Sequence, residues 1–490
     1  MERDRFIDSL RAIAVVAVVL GHWSATSVVW ETGRIAGESA LSTVSELHYV
    51  TWLLQVMPLL FFVGGFSNAR SLRLHKGDYL SYLRTRLTRL LQPTVAFIVI
   101  WLLLGLAGQL LPLPQPNLLE RGADIAALPF WFVGVYVVVV ALAPAMYRLH
   151  ERWRWRVPAA LAVGAVLVDV AVHGFGVEAV GFANYAFVWL IPHQFGFFYA
   201  DGSLDPIRPG VLAGAAGAGL AGLVVLAGWA GYPVSLIMVP GEDRWNSDPP
   251  SLPLVAVAVW LVSLALLARP AFQRLWKEGG WLQRINRVPL SMYLWHISVL
   301  PVAVGFLYPL GFPRDPVGSV GWWLWRPVWL ASLSASLTLV LLVVRRFEVH
   351  PPPRPMPIES AARRIGPASF GVVLVAVALL GFGVTGFNGI TADYGEGLLG
   401  FTLNPLFNTV HLVLGLTVLA GVYRSGRLTS VVLISALILG LIGLMGRETG
   451  IEVLATNGAT ATLDLVLGGL GALAAALATR SPVAMTRNST

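Results

Sequence analysis

Two histidines sit in apolar runs that have little ordinary use for them. His22 lies in DSLRAIAVVAVVLGHW (8–23) and His296 in LSMYLWHISVL (290–300). An imidazole titrates near about 6.5 in water, so the neutral ring can take a proton from a hydroxyl, and the same ring can act as a nucleophile. On a helix, the step from Arg11 to His22 leaves the two side chains about 20° apart on one face and about 16 Å apart along the axis. That spacing puts Arg11 at an inner surface and His22 near mid-membrane. Asp8, one turn before Arg11, can pair with its guanidinium or serve as a dipole partner at the helix start. His296 lies about 13 Å of helical rise past Arg287, close to the depth of His22, and Tyr293 is one turn earlier on the same face. Either residue can orient an accepting hydroxyl or donate to a developing oxyanion. Matched depth on separate helices favours one shared polar site over two separate packing histidines, which is the alternative reading for each.

A second group is cationic. In RTRLTRLLQP (84–93), Arg86 and Arg89 are three residues apart, hence on one helical face. Arginines so placed either mark a cytoplasmic loop or clamp phosphates by bidentate hydrogen bonds.

These groups need a membrane scaffold. The 490-residue chain is 56% hydrophobic and only 12% charged. Its apolar runs are about 20 residues long, enough to cross about 30 Å of hydrocarbon. The pattern predicts an all-α polytopic membrane protein of about fourteen spans, at about 8–29, 49–69, 93–113, 128–147, 157–173, 182–200, 209–230, 251–268, 288–309, 325–344, 367–386, 405–423, 429–445 and 460–478. Asp8 and the lack of a small-residue cleavage site after His22 favour a retained first helix over a signal peptide. The net charge of +8 sits in alternate loops. It therefore orients the chain, with both termini cytoplasmic in the plasma membrane, and does not imply nucleic acid. There is no cysteine, which removes disulfides, thiolate metal sites and a thiol nucleophile. The nine histidines are scattered, so no metal is expected, and without a GxxxxGK[ST] loop ATP-driven transport is not expected either.

The phrase HPPPRPMPIESAARRIGP (350–367) cannot continue a helix and divides the chain. The expected organisation is a ten-helix domain over 1–349, a linker at 350–366, four further helices over 367–480 and a cytoplasmic tail at 481–490. Two similar phrases, NTVHLVLGLTVLAG (408–421) and ATLDLVLGGLGALAA (461–475), indicate a weak repeat of two helix pairs. Glycines there suit close helix contact, on the first ten spans or on another copy as a homo-oligomer.

Taken in order, Arg11 and His22, MPLLFFVGGFSNARSL (57–72), the Arg86-x-x-Arg89 pair followed by proline, PFWFVGVYVVVVALAP (129–144) and LSMYLWH (290–296) resemble the membrane-bound acyltransferase-3 family. The resemblance implies a ten-helix bundle that transfers an acyl group, usually acetyl from cytosolic acyl-CoA, to a hydroxyl of a glycan, glycolipid or other acceptor. It also implies that His22 is catalytic, that the arginine separated from it by ten residues is Arg11, and that Arg86 and Arg89 recognise CoA. Arg11, aimed by Asp8, would hold the phosphate-bearing head of CoA together with Arg86 and Arg89 while His22 meets the acyl group. Residues from about 367 resemble a small four-helix actinobacterial membrane domain of unknown function. Direct base catalysis and an acyl-histidine relay both remain open, and a transporter or flippase of a lipid-linked or acylated molecule is the alternative from another class. His193 is assigned to packing or an acceptor pocket, His411 to helix packing, and Glu242, Asp243, Arg244 and Trp245 to sugar contact or a solvated loop.

Overall fold

The computed structural model describes residues 4–31, 34–110, 116–348, 361–391, 400–424, 427–448 and 451–479. Helices dominate because a backbone in hydrocarbon must satisfy its own hydrogen bonds. The longer ones are α1 (Arg5–Ala25), α2 (Met57–Leu74), α3 (Tyr79–Leu110), α4 (Phe130–Trp153), α5 (Arg156–Phe175), α6 (Asn184–Ala200), α7 (Pro209–Gly228) and α8 (Leu252–Leu267). They are followed by α9 (Pro289–Trp295), α10 (Val299–Leu307), α11 (Val320–Val344), α12 (Ala361–Thr385), α13 (Pro405–Arg424), α14 (Leu428–Glu448) and α15 (Gly458–Thr479). Short helical turns lie between several of them.

Among the described residues, eleven helices are long and apolar enough to span a membrane, or up to thirteen if each of two bent pairs is one span. The expected count of fourteen departs from this at three places. The sixth expected span is α6, of 17 residues. The eighth bends by 63° after α8, and the ninth is not one helix but α9 and α10, bent by 55°. The first expected span also stops early. At Ala25 the chain leaves α1 for a two-stranded antiparallel hairpin, β1 (Thr26–Glu31) and β2 (Arg34–Ser39), in which Thr26 pairs with Ser39. Thr26 halts the helix by turning its hydroxyl and its N–H onto the carbonyl of His22. His22 thus lies in the last turn of α1 rather than at the middle of a longer span.

The chain forms two compact units that do not follow its linear order. The first comprises Met1–Gly77, Thr88–Pro129 and Leu142–Pro351, and the second Asp78–Leu87, Phe130–Ala141 and Pro352–Thr490. By this division two segments that precede the expected boundary near 350, Asp78–Leu87 and Phe130–Ala141, group with the C-terminal helices. Apolar residues such as Phe130 carry no sequence mark of the partner they pack against, and Phe130 packs edge-on to Phe387 at 5.8 Å. Most of the expected linker and the whole expected tail lie outside the described residues. Residues 361–366, expected as linker, are already helical, and Pro367, expected to mark the end of the linker, lies inside α12.

In the first unit, α2 and α6 pack at backbone contact. A Cβ on Gly65 would lie 1.9 Å from the carbonyl oxygen of His193, and one on Gly196 would lie 2.2 Å from that of Phe62. His193 is buried there and Asn68 Nδ2 reaches its Nε2 at 3.0 Å. Of its two expected roles, this is packing.

In the second unit, α12 packs on α13 and α14 on α15. His411 of α13 and Asp464 of α15 stand at equivalent positions of the two similar phrases, and both are fully buried. His411 Nδ1 donates to the Phe407 carbonyl at 3.0 Å, and its Nε2 lies 2.9 Å from Asp464 Oδ1. A carbonyl only accepts, so Nδ1 carries a hydrogen and one further proton lies between Nε2 and the carboxyl group. The pair is neutral overall and joins the two halves of the repeat. His411→Leu is expected to lower unfolding stability by about 3–5 kcal/mol, because it leaves Asp464 buried alone, whereas H411L/D464L recovers most of the loss. Thermal unfolding in detergent of the wild type, the single and the double variant checks this.

Candidate active site

Helix α1 carries both ends of the site. Asp4 caps it, with Oδ1 accepting from the Ile7 N–H at 3.0 Å and Oδ2 from the Tyr199 hydroxyl at 3.1 Å. Two turns on, Arg11 Nη1 donates to Asp8 Oδ1 at 2.9 Å and to Asn286 Oδ1 at 3.1 Å, while Nη2 reaches Ser67 Oγ at 3.3 Å. Asn286 Nδ2 returns a bond to the Asp8 carbonyl at 2.7 Å. The Arg11 side chain keeps 26% of its surface exposed. It is a positioned cation, held by residues from three parts of the chain.

At the other end, His22 Nδ1 lies 2.8 Å from His296 Nε2, with the rings nearly parallel at 17°. His296 is fully buried, whereas His22 is partly exposed. His296 lies at the break between α9 and α10. A break inside an apolar bundle frees backbone groups that water cannot reach, so protein groups must satisfy them. Trp23 Nε1 donates to the His296 carbonyl at 2.7 Å, His296 Nδ1 to the Tyr293 carbonyl at 2.5 Å, and Trp101 Nε1 to Ser298 Oγ at 3.0 Å.

This sets the direction of the proton chain. The Tyr293 carbonyl can only accept, so His296 Nδ1 carries a hydrogen, and in the neutral ring its Nε2 is then an acceptor. His22 Nδ1 must supply the hydrogen between the two rings, which leaves the lone pair of neutral His22 on Nε2. Among the described residues nothing hydrogen-bonds to that atom. The pair thus presents one basic nitrogen on a partly exposed ring, with a second imidazole and a backbone carbonyl behind it fixing the tautomer.

The expected residues are only partly brought together. His22 meets His296, and Asp8 meets Arg11. Tyr293 contributes its carbonyl, but its hydroxyl points away and donates to the Pro129 carbonyl at 3.1 Å, because a buried phenol needs an acceptor. Tyr293 does share the face of His296, their ring centres lying 5.8 Å apart, while its hydroxyl is taken up by the Pro129 carbonyl. Arg86 belongs to the second unit, where Nη2 donates to the Tyr136 hydroxyl at 2.8 Å. Arg89 belongs to the first unit and is exposed. Of the outer-loop group, Asp243 and Arg244 are exposed, and Trp245 Nε1 bonds the Val239 carbonyl at 3.2 Å. Asn286, Ser67, Trp23 and Trp101 were not anticipated. Trp23 adjoins His22 in sequence, but nothing links Asn286 to Arg11 across 275 residues.

A family model described as an acyltransferase domain matches residues 4–345. A second, described as a domain of unknown function (DUF4383), matches residues 364–477. No curated protein and no solved structure matches the chain.

The proton chain has a direct spectroscopic consequence. Nitrogen-15 NMR of histidine-labelled protein at mildly alkaline pH is expected to show His22 protonated on Nδ1 and bare on Nε2. His296→Phe is expected to release that preference, and a wild-type His22 protonated on Nε2 would contradict the chain.

Proposed function

Because the chain belongs to the family defined by this acyltransferase domain, and is a membrane acyltransferase, we propose that it moves an acyl group, acetyl in the simplest case, from acyl-CoA to a hydroxyl. The single observation that carries the assignment of the base is the hydrogen-bonded chain from the Tyr293 carbonyl through His296 to His22. It leaves a basic Nε2 on a partly exposed ring.

In the proposed step His22 Nε2 takes the proton of the acceptor hydroxyl as its oxygen attacks the thioester carbonyl. The C–S bond breaks, the new C–O ester bond remains, and the proton passes from His22 to the departing sulfur. The charge that develops on His22 is shared with His296, which holds the ring and its tautomer, as a hydrogen-bonded orienting group does for a catalytic imidazole. In this reading Tyr293 is a positioning residue that acts through its backbone carbonyl.

Arg11 and Arg89, both in the first unit, are the proposed partners for the phosphates of the donor, and Asp8 aims Arg11. In the proposed orientation the N-terminal end of α1 and the termini of the chain face the cytoplasm, where acyl-CoA is made. The flexible arm of the donor then spans the rise of about 16 Å along α1 from Arg11 to His22. The family resemblance makes a cell-envelope glycan or glycolipid the proposed acceptor class. No metal enters the step.

The test uses purified full-length protein and labelled acetyl-CoA. His22→Ala and His22→Gln are expected to cut transfer by about 10²- to 10⁴-fold while leaving the fold intact, since neither side chain takes a proton. Arg11→Ala is expected to raise KM for acetyl-CoA by about 10-fold or more, the loss of one charge-assisted phosphate contact. A wild-type protein that neither binds nor consumes acyl-CoA, yet moves a lipid-linked substrate across vesicles, would overturn the enzyme reading.

A further inference from the structure

Helix α9 is only seven residues long, and His296 stands at its C-terminal end. A helix this short is marginal by itself, so contacts at its ends decide where it sits. Its first turn leaves two backbone donors over. Pro289 has no N–H, and the Met292 N–H bonds the Val288 carbonyl at 2.9 Å, so the N–H groups of Leu290 and Ser291 lack partners within the helix. One side chain takes both. Leu290 N donates to Glu348 Oε1 at 2.9 Å and Ser291 N to Glu348 Oε2 at 3.2 Å.

Glu348 belongs to the short turn Arg345–Glu348 that closes α11, far along the chain from α9. Its neighbours Arg345 and Arg346 are exposed, whereas the Glu348 carboxylate faces α9, where its charge suits the positive end of the helix dipole. The other end of α9 is clasped in the same manner. There the Trp23 indole and the His296 ring satisfy the His296 and Tyr293 carbonyls. From Leu290 to His296 the helix rises by about 9 Å, so the carboxylate at one clasp and the imidazole at the other are joined by less than two turns of backbone.

We propose that Glu348 is a positioning residue for the base: by gripping the start of α9 it fixes the depth and tilt at which His296 meets His22. The proposal rests on the acyl-transfer reading and adds to it a residue that touches neither imidazole. Two oxygens on two successive N–H groups resist both a slide along the helix axis and a swing about it, whereas a single acceptor leaves the swing free. The contact of 2.8 Å between His296 Nε2 and His22 Nδ1 tolerates neither movement, because a hydrogen bond weakens steeply once its alignment is lost. Ser291 is 1% exposed, so without the carboxylate its N–H has no water to turn to, and the first turn of α9 must shift to find another acceptor.

The experiment follows consumption of labelled acetyl-CoA by the full-length protein in nanodiscs. Glu348→Ala is expected to lower kcat by about tenfold or more while leaving the KM for acetyl-CoA within about twofold of wild type. Glu348→Gln keeps one accepting oxygen and is expected to lower kcat by about threefold. In a His296→Phe background the same Glu348→Ala change is expected to cost less than about twofold, because the group it positions is already gone. Nitrogen-15 NMR of histidine-labelled Glu348→Ala is expected to show His22 losing its preference for a proton on Nδ1, as in His296→Phe. An unchanged kcat or unchanged His22 signals in Glu348→Ala overturn the proposal and leave the acyl-transfer reading standing. An equal loss of kcat with and without His296 also overturns it, since Glu348 then supports the fold and not the base. If Glu348→Ala does not fold, Glu348→Gln carries the same measurements. If the wild type consumes no acetyl-CoA, the acyl-transfer reading fails and the NMR comparison decides the positioning: a His22 preference released by Glu348→Ala upholds it, and a retained one overturns it.

Discussion

A helix that breaks inside an apolar bundle exposes backbone carbonyls where no water can serve them, and the groups that satisfy them decide what else can happen there. Here the break falls at His296, and the satisfying groups are the Trp23 indole and the His296 ring itself. The requirement that the Tyr293 carbonyl receive a hydrogen dictates which nitrogen of His296 carries one. That choice passes to His22 through a contact of 2.8 Å. A structural need of the backbone thereby becomes a chemical property of a side chain on another helix.

The same helix is held at its other end by a different kind of contact. Arg11 is tied to Asp8, Ser67 and Asn286, so α1 is fixed both in rotation and in axial position. Fixing both ends is what makes the distance between a cationic group and a basic nitrogen reproducible, and the proposed reaction requires that. A donor carried on a flexible arm tolerates variation in its own shape, but a proton transfer across a hydrogen bond does not tolerate movement of the base.

Beyond the break, α11 contributes to the same local order. Trp329 reads out the position of Trp23, and Arg326 reads out Thr26 and Ser27, where α1 turns into the hairpin. The early end of α1 is therefore not a fault in a membrane span. It delivers a strand whose polar groups hold Arg326, which an unbroken helix over 8–29 would not have supplied. In the second unit a buried polar contact again joins two helices, since His411 and Asp464 neutralise one another in a fully buried setting.

Composition and hydropathy alone determined that the chain is a polytopic membrane protein, because about 20-residue apolar runs have few other uses. Spacing alone placed Asp8, Arg11 and His22 along one helix, since helical geometry is local. It also matched His296 to His22 in depth, although the reason for the match was the continuous ninth span that the structure replaces with a break. What remained hidden were contacts made across hundreds of residues. Asn286 on Arg11, Tyr136 on Arg86 and Asp464 on His411 are pairings of ordinary polar residues whose sequence neighbours give no sign of a partner. The break at His296 was only faintly legible: LSMYLWHISVL itself has no proline or glycine, and the one signal is Pro301 just after it, which cannot donate to the Ile297 carbonyl. Only the tertiary structure, by supplying Trp23 to cap the freed carbonyl, made the break affordable and so decided which nitrogen of His22 is basic.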